Sequence, residues 1–542
     1  MKKSLILLLT VLLLCISTLL SSCNTTPPTP DGGDGDKGPI TNTGGEDNTE
    51  GEDKPQAPTD FDEDNIALTF AAMSDLHNST DAKALKMKNM MLALTKNRRM
   101  DAFVFAGDLG DKVNGASSKY TTAQFKTGFT ELARFTEQAM AGNENLVNIV
   151  WTLGNHETPS SAVSEDVTLE TSKNTYSFPA GSTMLDAMYE ITSKNDEYGL
   201  LMSATEGAPK GFRYMDVVGY HFFAVDYAYA NAESVTWLDE RLTAIEAENG
   251  TDPVFVVSHM PLTHNAQPRV LTEMLANHPS VVYISGHTHV PMQSYSSVSI
   301  TGTTAQVVMG PGDHANYGVS GSGGYSYCSY SMKQAAIFEV DVNGFVRVTA
   351  LDLSVNVEED GSVTKLITKK GYSTEYTVAQ NPLVLREAVF APKAGGGFTV
   401  LRDSVVTSRE DSRYTAPAFA EDALSVSEVT KASLKLSIGK ASATNLIKYY
   451  TIAVTDENGD TVSVYDPLAQ KTVTALKIGS DYIMHGLYRD YPDVYVYTLS
   501  LTAKNGATEF VSGESYTITV TAHDDFGAVS NPVTVTFTAN SN

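Results

Sequence analysis

Five apolar runs of strand length punctuate the chain, at residues 67–74, 101–106, 146–153, 253–257 and 279–284. Between them, hydrophobic residues recur at helical spacing. Residues 82–96 set Leu85, Met90, Leu92 and Leu94 among lysines, 124–140 carry Phe125, Phe129, Leu132 and Phe135, and 234–248 carry Trp237, Leu238, Leu242 and Ile245. Strand alternating with helix from 66 to about 353 predicts an α/β domain. A turn-rich stretch at 158–213, with Pro159, Pro179 and Pro209, interrupts it and contains one convincing helix near 184–193. Inserted loops on a rigid scaffold commonly carry specificity, so this stretch is expected to wall a substrate cleft. Residues 305–309 and 335–353 alternate like antiparallel strands closing the second of two sheets, with Asn343-Gly344 as a hairpin turn. From 355 to 418 strands appear without a clear plan. Beyond 417, short alternating strands at 433–438, 448–455 and 516–522 are separated by turns such as Glu457-Asn458-Gly459-Asp460, the pattern of an all-β sandwich.

At 542 residues the chain is too long for one core. Residues 1–20 begin with Lys2 and Lys3 and continue as an almost unbroken apolar run, a secretory leader with a basic start. Leu20-Ser21-Ser22-Cys23 at its end resembles a bacterial lipobox, which implies cleavage before Cys23, lipidation of its thiol and an exported, lipid-anchored protein of the cell envelope. From 24 to about 64 the chain is mostly Pro, Gly, Thr, Asp and Glu, a composition that forms a solvated tether and no core. This tether carries a disproportionate part of the net charge of -26, and no basic patch points to nucleic acid. Of the 3 cysteines, Cys15 lies in the leader, Cys23 is the lipidation candidate and Cys328 stands alone. The mature body therefore has no intramolecular disulfide and depends on its core and on metal. The expected order is a signal peptide over 1–22, a tether over 23–64, the α/β domain over 65–355, a connecting region over 356–416 and a smaller all-β sandwich over 417–542.

Each of the five apolar runs ends in ligand-type residues: Asp75-Leu76-His77, Gly107-Asp108-Leu109-Gly110-Asp111, Gly154-Asn155-His156-Glu157, Ser258-His259 and Gly286-His287-Thr288-His289. Two histidines at i and i+2 of an extended segment point the same way. In open α/β sheets, sites form outside the carboxyl ends of the strands, so five such ends with Asp, His and Asn converge on one metal site.

The ordered series Asp-x-His, Gly-Asp-x-x-Asp, Gly-Asn-His-Glu, His and Gly-His-x-His resembles the calcineurin-like metallophosphoesterases over about 66–353, with no substitution at a ligand position. The resemblance implies two facing sheets with helices outside, an αββα sandwich holding two divalent or trivalent metal ions of the Mn, Fe or Zn type. It implies that Asp75, His77 and His289 bind one ion, that Asn155, His259 and His287 bind the other, and that Asp108 bridges them. A carboxylate suits that place because its two oxygens can span ions about 3.5–4 Å apart. Two divalent ions bring four positive charges against two from Asp75 and Asp108, so the site keeps an excess that attracts a phosphate ester. The implied reaction is hydrolysis of a small extracellular phosphomonoester or phosphodiester, with a metal-bridging hydroxide attacking phosphorus and His156 protonating the leaving oxygen. Glu157 would orient the His156 ring, Asp111 would partner a ligand histidine, and His264 and His314 would contact substrate at the cleft mouth. His221, His278, His485 and His523 read as structural or solvated.

The stretch 516–522, followed by Asp525-Phe526-Gly527 and Ser530, is similar to the last strands of fibronectin type III domains. A binding lipoprotein, with the C-terminal sandwich engaging a glycan or a protein and little hydrolytic activity, is the alternative. Export counts against a cyclic-nucleotide phosphodiesterase. A nucleotidase would use tyrosines such as Tyr227, Tyr229, Tyr325, Tyr327 and Tyr330 to hold a base.

Overall fold

The computed structural model describes residues 59–96, 98–111, 119–250, 252–316, 327–331, 333–366, 377–466, 471–479, 494–500 and 509–540, with the backbone alone at 249, 314–316, 327–331, 365, 479 and 494–495. The leader, Cys23, nearly all of the tether, Tyr325 and His485 lie outside the described residues, as do the side chains of His314, Tyr327, Cys328 and Tyr330.

The first domain begins β1 (Ile66–Met73), α1 (Asp81–Thr95), β2 (Ala102–Ala106), α2 (Thr122–Gly142), β3 (Asn148–Thr152) and α3 (Met184–Asn195). It continues with β4 (Phe212–Val217), β5 (Tyr220–Val225), α4 (Ala232–Asn249), β6 (Val254–Ser258), α5 (Arg269–Leu275), β7 (Val281–Ser285), β8 (Val298–Thr301) and β9 (Thr304–Val308). Then come β10 (Gln334–Asp341), β11 (Val346–Val357), β12 (Pro382–Pro392) and β13 (Phe398–Asp403). The helices begin where their sequences allow: Thr121, Thr183 and Asn231 each form a capping box that satisfies the first free amides of α2, α3 and α4.

Two sheets form. The first has the order β13-β12-β11-β10-β1-β2-β3, with the short strand Val363–Lys365 added on β11. In it β1, β2 and β3 run parallel and the others antiparallel. The second has the order β8-β9-β7-β6-β5-β4, parallel from β5 to β9 with antiparallel β4 and β8 at its edges. Phe70 of β1 joins them, packing on Phe338 of its own sheet at 4.7 Å and on Phe222 and Phe255 of the other at 5.2 and 4.8 Å.

Alternation along the strands then builds the outer layers. Phe222, Ala224, Phe255 and Val257 face the first sheet, while Phe223, Val225, Val254 and Val256 pack with Leu238 and Leu242 of α4 and Leu271 of α5. On the opposite side Phe105 of β2 meets Phe135 of α2 at 5.0 Å. Strands covered on both faces need uninterrupted apolar runs, which is why those runs were legible.

Three expectations change. The strands over 335–353 do not close the second sheet. As β10 and β11 they lie in the first, antiparallel beside β1, where the Gly344 turn (φ 80°) joins them. The stretch 356–416, expected to connect domains, supplies β12 and β13, which extend that sheet because Ala388, Phe390 and Phe398 have apolar faces to bury in its core. The stretch 158–213 is more than a loop: short strands at Val167–Glu170 and Thr175–Phe178 pair, and Leu169, Tyr176 and Phe178 join the main core beside Phe125 and Phe129 of α2.

The C-terminal region is largely β. Strands β14 (Leu424–Ser427), β15 (Ser433–Gly439), β16 (Ile447–Asp456), β17 (Ala475–Gly479), β18 (Val494–Ser500), β19 (Ser515–Asp524) and β20 (Val533–Thr538) follow. β14, β15 and β18 make one sheet, and β17, β16, β19 and β20 most of another. Leu434, Leu436 and Ile438 of the first share a core with Ile452, Val454, Ile518 and Val520 of the second. Asp525 accepts a hydrogen bond from Ser294 at 2.8 Å, and Phe526 packs on Tyr295 at 4.8 Å, so this region touches the loop that follows His289.

His278 settles the start of β7. Its ring, 3% exposed, lies 3.0 Å from Glu246 and 2.9 Å from Asp239, both on α4. Burial opposes the charged ring, and the two carboxylates outweigh it, so His278 titrates above its ordinary range. A raised folded-state value means that the stabilisation is complete below about pH 6.5 and is lost as pH rises through the folded value. His278→Ala should therefore cost about 1–2 kcal/mol at pH 6 and distinctly less at pH 9, measured by urea unfolding at the two pH values.

Candidate metal centre

All seven residues named as ligands stand at the carboxyl ends of parallel strands, and the structure brings them together. Asp75 and His77 follow β1, Asp108 follows β2, Asn155 follows β3, His259 follows β6, and His287 and His289 follow β7. Donor atoms of Asp75, His77, Asp108 and His289 lie within 4.8 Å of one another. His289 Nε2 is 3.1 Å from Asp75 Oδ1 and 3.2 Å from His77 Nε2. On the other side Asn155 Oδ1 is 2.8 Å from His287 Nδ1 and 3.1 Å from His259 Nε2. Asp108 belongs to both groups, with its Oδ2 3.3 Å from His259 Nε2.

The backbone is bent to achieve this. Asp75, His77, Asp108, His287 and His289 all have left-handed φ, from 48° to 73°. Only nine non-glycine residues do so among those described, and five of them are in this set. Each such residue costs on the order of 1 kcal/mol, and Asp and His tolerate the region better than most. The turns are zipped together to hold it: Asp75 N donates to Gly107 O at 3.1 Å, and Leu76 and His77 donate to Asp108 O at 3.0 and 3.1 Å. Two glycines leave the necessary space. A Cβ on Gly107 (φ 89°) would lie 2.4 Å from His259 Nδ1, and one on Gly154 would lie 2.0 Å from Asp108 Oδ1.

Two rings and both carboxylates are in the form that binds a cation, whereas His259 has a proton to lose. His259 Nδ1 donates to Ala106 O at 2.9 Å, which turns Nε2 toward the centre as a donor atom. Burial holds His77 down to about 3 and His287 down to about 4, so both rings are neutral and offer lone pairs. Burial alone would raise Asp75 and Asp108, yet His289 beside the first and His259 beside the second hold both well below the usual carboxylate range. For His259 burial works downward, and Asp108 outweighs it and pushes the ring up to about 9. The His77 and His289 nitrogens, 3.2 Å apart, and the Asp75 oxygen, 3.1 Å from His289, are buried and close enough to act as donors to one cation. The residues present therefore fit metal ions, with oxygen and nitrogen donors and no thiolate.

The remaining predicted residues divide. His156 is partly exposed, its amide donates to Asp108 Oδ1 at 2.9 Å, and its ring Nδ1 lies 3.4 Å from Asp111 Oδ1. Asp111 is also 3.8 Å from His77 Nδ1. Glu157 does not orient the His156 ring. Both its oxygens are taken by backbone, Oε1 by Gly110 N at 2.7 Å and Oε2 by Gly154 N at 2.6 Å, so it ties two ligand loops together from beneath. Burial and the Asp108 charge push its carboxyl well above the ordinary range, against the pull of those amides. The His264 ring stands 4.4 Å from that of His287 at 75°. Backbone at His314 opens a short strand, and its side chain lies outside the described residues. Tyr227 is half-buried, and burial with the charges of Asp108 and Glu157 pushes its phenol up to about 12. Tyr229 is committed elsewhere, donating to Pro159 O at 2.8 Å.

The sequence reading missed Arg213 and Asp226. A signal existed for the second, since the run 220–225 also ends in an acid, at β5 of the second sheet. Nothing in the surroundings of Arg213 along the chain marks it.

Two outcomes are expected. A metal must displace the His259 proton, so affinity should tighten about tenfold per unit from pH 6 to 8, with one proton released, measured by calorimetry in buffers of different ionisation enthalpy. Gly154→Ala should displace Asp108 and weaken metal binding by about tenfold or more, seen as sub-stoichiometric metal in elemental analysis of the folded protein.

Residues 68–291 match the family model of the calcineurin-like phosphoesterases. No curated protein matches the chain. Among solved structures it is similar to a purple acid phosphatase from yellow lupin (Lupinus luteus) seeds, 12% identical over 55% of this chain and 52% of that one, with a TM-score of 0.33. The chain thus spans about half the length of that protein. It is also similar to a segment of two fibronectin type III domains from chicken tenascin, 10% identical over 36% of this chain and 92% of that one, with a TM-score of 0.16. The matched span takes in all seven converging residues, and the family together with the Asp–His cluster supports a metal-dependent phosphoesterase domain over residues 68–291.

Proposed function

We propose that the protein is a dinuclear metallophosphoesterase, exported and anchored by lipid at Cys23 in a bacterial cell envelope, that hydrolyses a small extracellular phosphomonoester or phosphodiester. The observation that carries the reading is the pair of ligand groups, Asp75, His77 and His289 on one side and Asn155, His259 and His287 on the other, meeting at the Asp108 carboxylate. Ions of the Mn, Fe or Zn class held there would activate water and neutralise charge on the phosphoryl oxygens.

The chain's own residues supply the rest. Asp108, buried and ionised, fixes the two halves of the site relative to each other and holds His156 through its amide. Asn155, uncharged, contributes an oxygen without cancelling the positive excess that draws a phosphate in. The His156 ring is partly exposed with Nε2 3.8 Å from Asp108 Oδ2, and Asp111 at 3.4 Å from Nδ1 favours the tautomer with the proton there. Nε2 is then the atom that exchanges a proton with the leaving oxygen. His264, against His287, forms part of the rim.

Asp108→Ala should lose both metal and activity. His156→Ala should keep the metal and lose about a hundredfold or more in kcat, measured with p-nitrophenyl and bis-p-nitrophenyl phosphate alongside elemental analysis. A wild-type protein that binds two metals and leaves both esters untouched would sink the reading.

A further inference from the structure

Behind the metal centre, Arg213 of β4 and Asp226 at the end of β5 form an ion pair with no exposure at all. Arg213 Nη1 donates to Asp226 Oδ2 at 2.7 Å, Nη2 donates to Trp151 O at 2.9 Å, and the guanidinium lies 3.9 Å from the centre of the Trp151 ring. Asp226 Oδ1 accepts from Thr152 Oγ1 at 2.8 Å and from Leu153 N at 2.7 Å. The pair therefore grips Trp151, Thr152 and Leu153 in succession, and the next residues are Gly154, Asn155 and His156. It reaches them from the opposite sheet.

A buried ion pair returns little net stability compared with apolar residues of the same volume, because both charges must be stripped of water. Its bonds are directional, and an apolar filling would leave the Leu153 amide and the Trp151 carbonyl unmatched. We infer that Arg213 and Asp226 are positioning residues for the metal centre: they set the height and direction of the strand end that delivers Asn155 and His156. Direction is continued by neighbouring carboxylates, since Gly154 N donates to Glu157 and His156 N to Asp108. Arg213 also reaches Tyr189 Oη at 3.3 Å, so the inserted helix α3 shares in the same network. This inference rests on the reading of the site as a metal centre.

Arg213→Lys keeps the charge and loses the planar fork, and Thr152→Val removes one bond to Asp226 without changing shape. Both are compared with wild type and with His278→Ala, a destabilised control remote from this network. Calorimetry with Mn2+ should show a loss of about ten- to a hundredfold in affinity for the two network variants and none for the control. Their kcat for p-nitrophenyl phosphate should fall with KM little changed, and amide exchange over residues 153–157 should accelerate in them alone. Wild-type affinity, kcat and exchange in both network variants would overturn the inference. If Arg213→Lys does not fold, Thr152→Val decides it. A wild-type protein that binds no Mn2+ would sink the metal reading, and the exchange rates would still decide whether the pair positions the turn.

Discussion

Asp108 is a carboxylate out of reach of water, 1% exposed, whose partners are histidines and one backbone amide. Isolating a charge in this way costs several kcal/mol unless directed groups replace its hydration. Much of the surrounding structure is what keeps it there. Gly154 lacks the Cβ that would collide with it and Gly107 the one that would collide with His259, the β1 turn hydrogen-bonds to its carbonyl, and His259 is held in place through Ala106.

The turn opposite Asp108 is held in the same manner. Three of its amides, on Leu153, Gly154 and His156, donate to three buried carboxylates, Asp226, Glu157 and Asp108 in turn. Glu157 belongs to the turn itself, while Asp226 follows a strand of the second sheet and Asp108 one of the first, so the turn is located by both sheets at once. The stored cost of five left-handed residues in the converging set is tolerable because those turns are held by hydrogen bonds to one another. An ordered, preformed donor set follows, which is the state in which metal binds without first having to organise its ligands.

The C-terminal region is built separately, around its own core, yet it touches the first domain beside the Gly-His-x-His motif. Ser294 and Tyr295, on the loop that leaves His289, meet Asp525 and Phe526. Arg386, on a strand that the sequence left unassigned, donates to Ser294 O at 2.8 Å from the other side. The loop after the Gly-His-x-His motif is thereby enclosed by both parts of the chain.

The apolar runs, the helically spaced hydrophobic residues and the polar residues that close each run are local features, and they determined the α/β alternation, the main helices and all seven converging residues without reference to tertiary structure. Such signals survive in a one-dimensional pattern because strand burial and metal ligation each demand particular residue types at short spacing. Long-range pairing left no such trace. That β10 and β11 lie beside β1, and that β12 and β13 extend the same sheet, depended on which edge was free once β1, β2 and β3 had paired. Glu157 looked like an orienting neighbour of His156 because adjacency along the chain says nothing of direction, and the turn sends its side chain inward to two amides. Arg213 and Asp226 mattered only once two facing sheets had brought residues 151–153 and 226 within hydrogen-bonding distance, a proximity created by packing and absent from any local stretch of sequence.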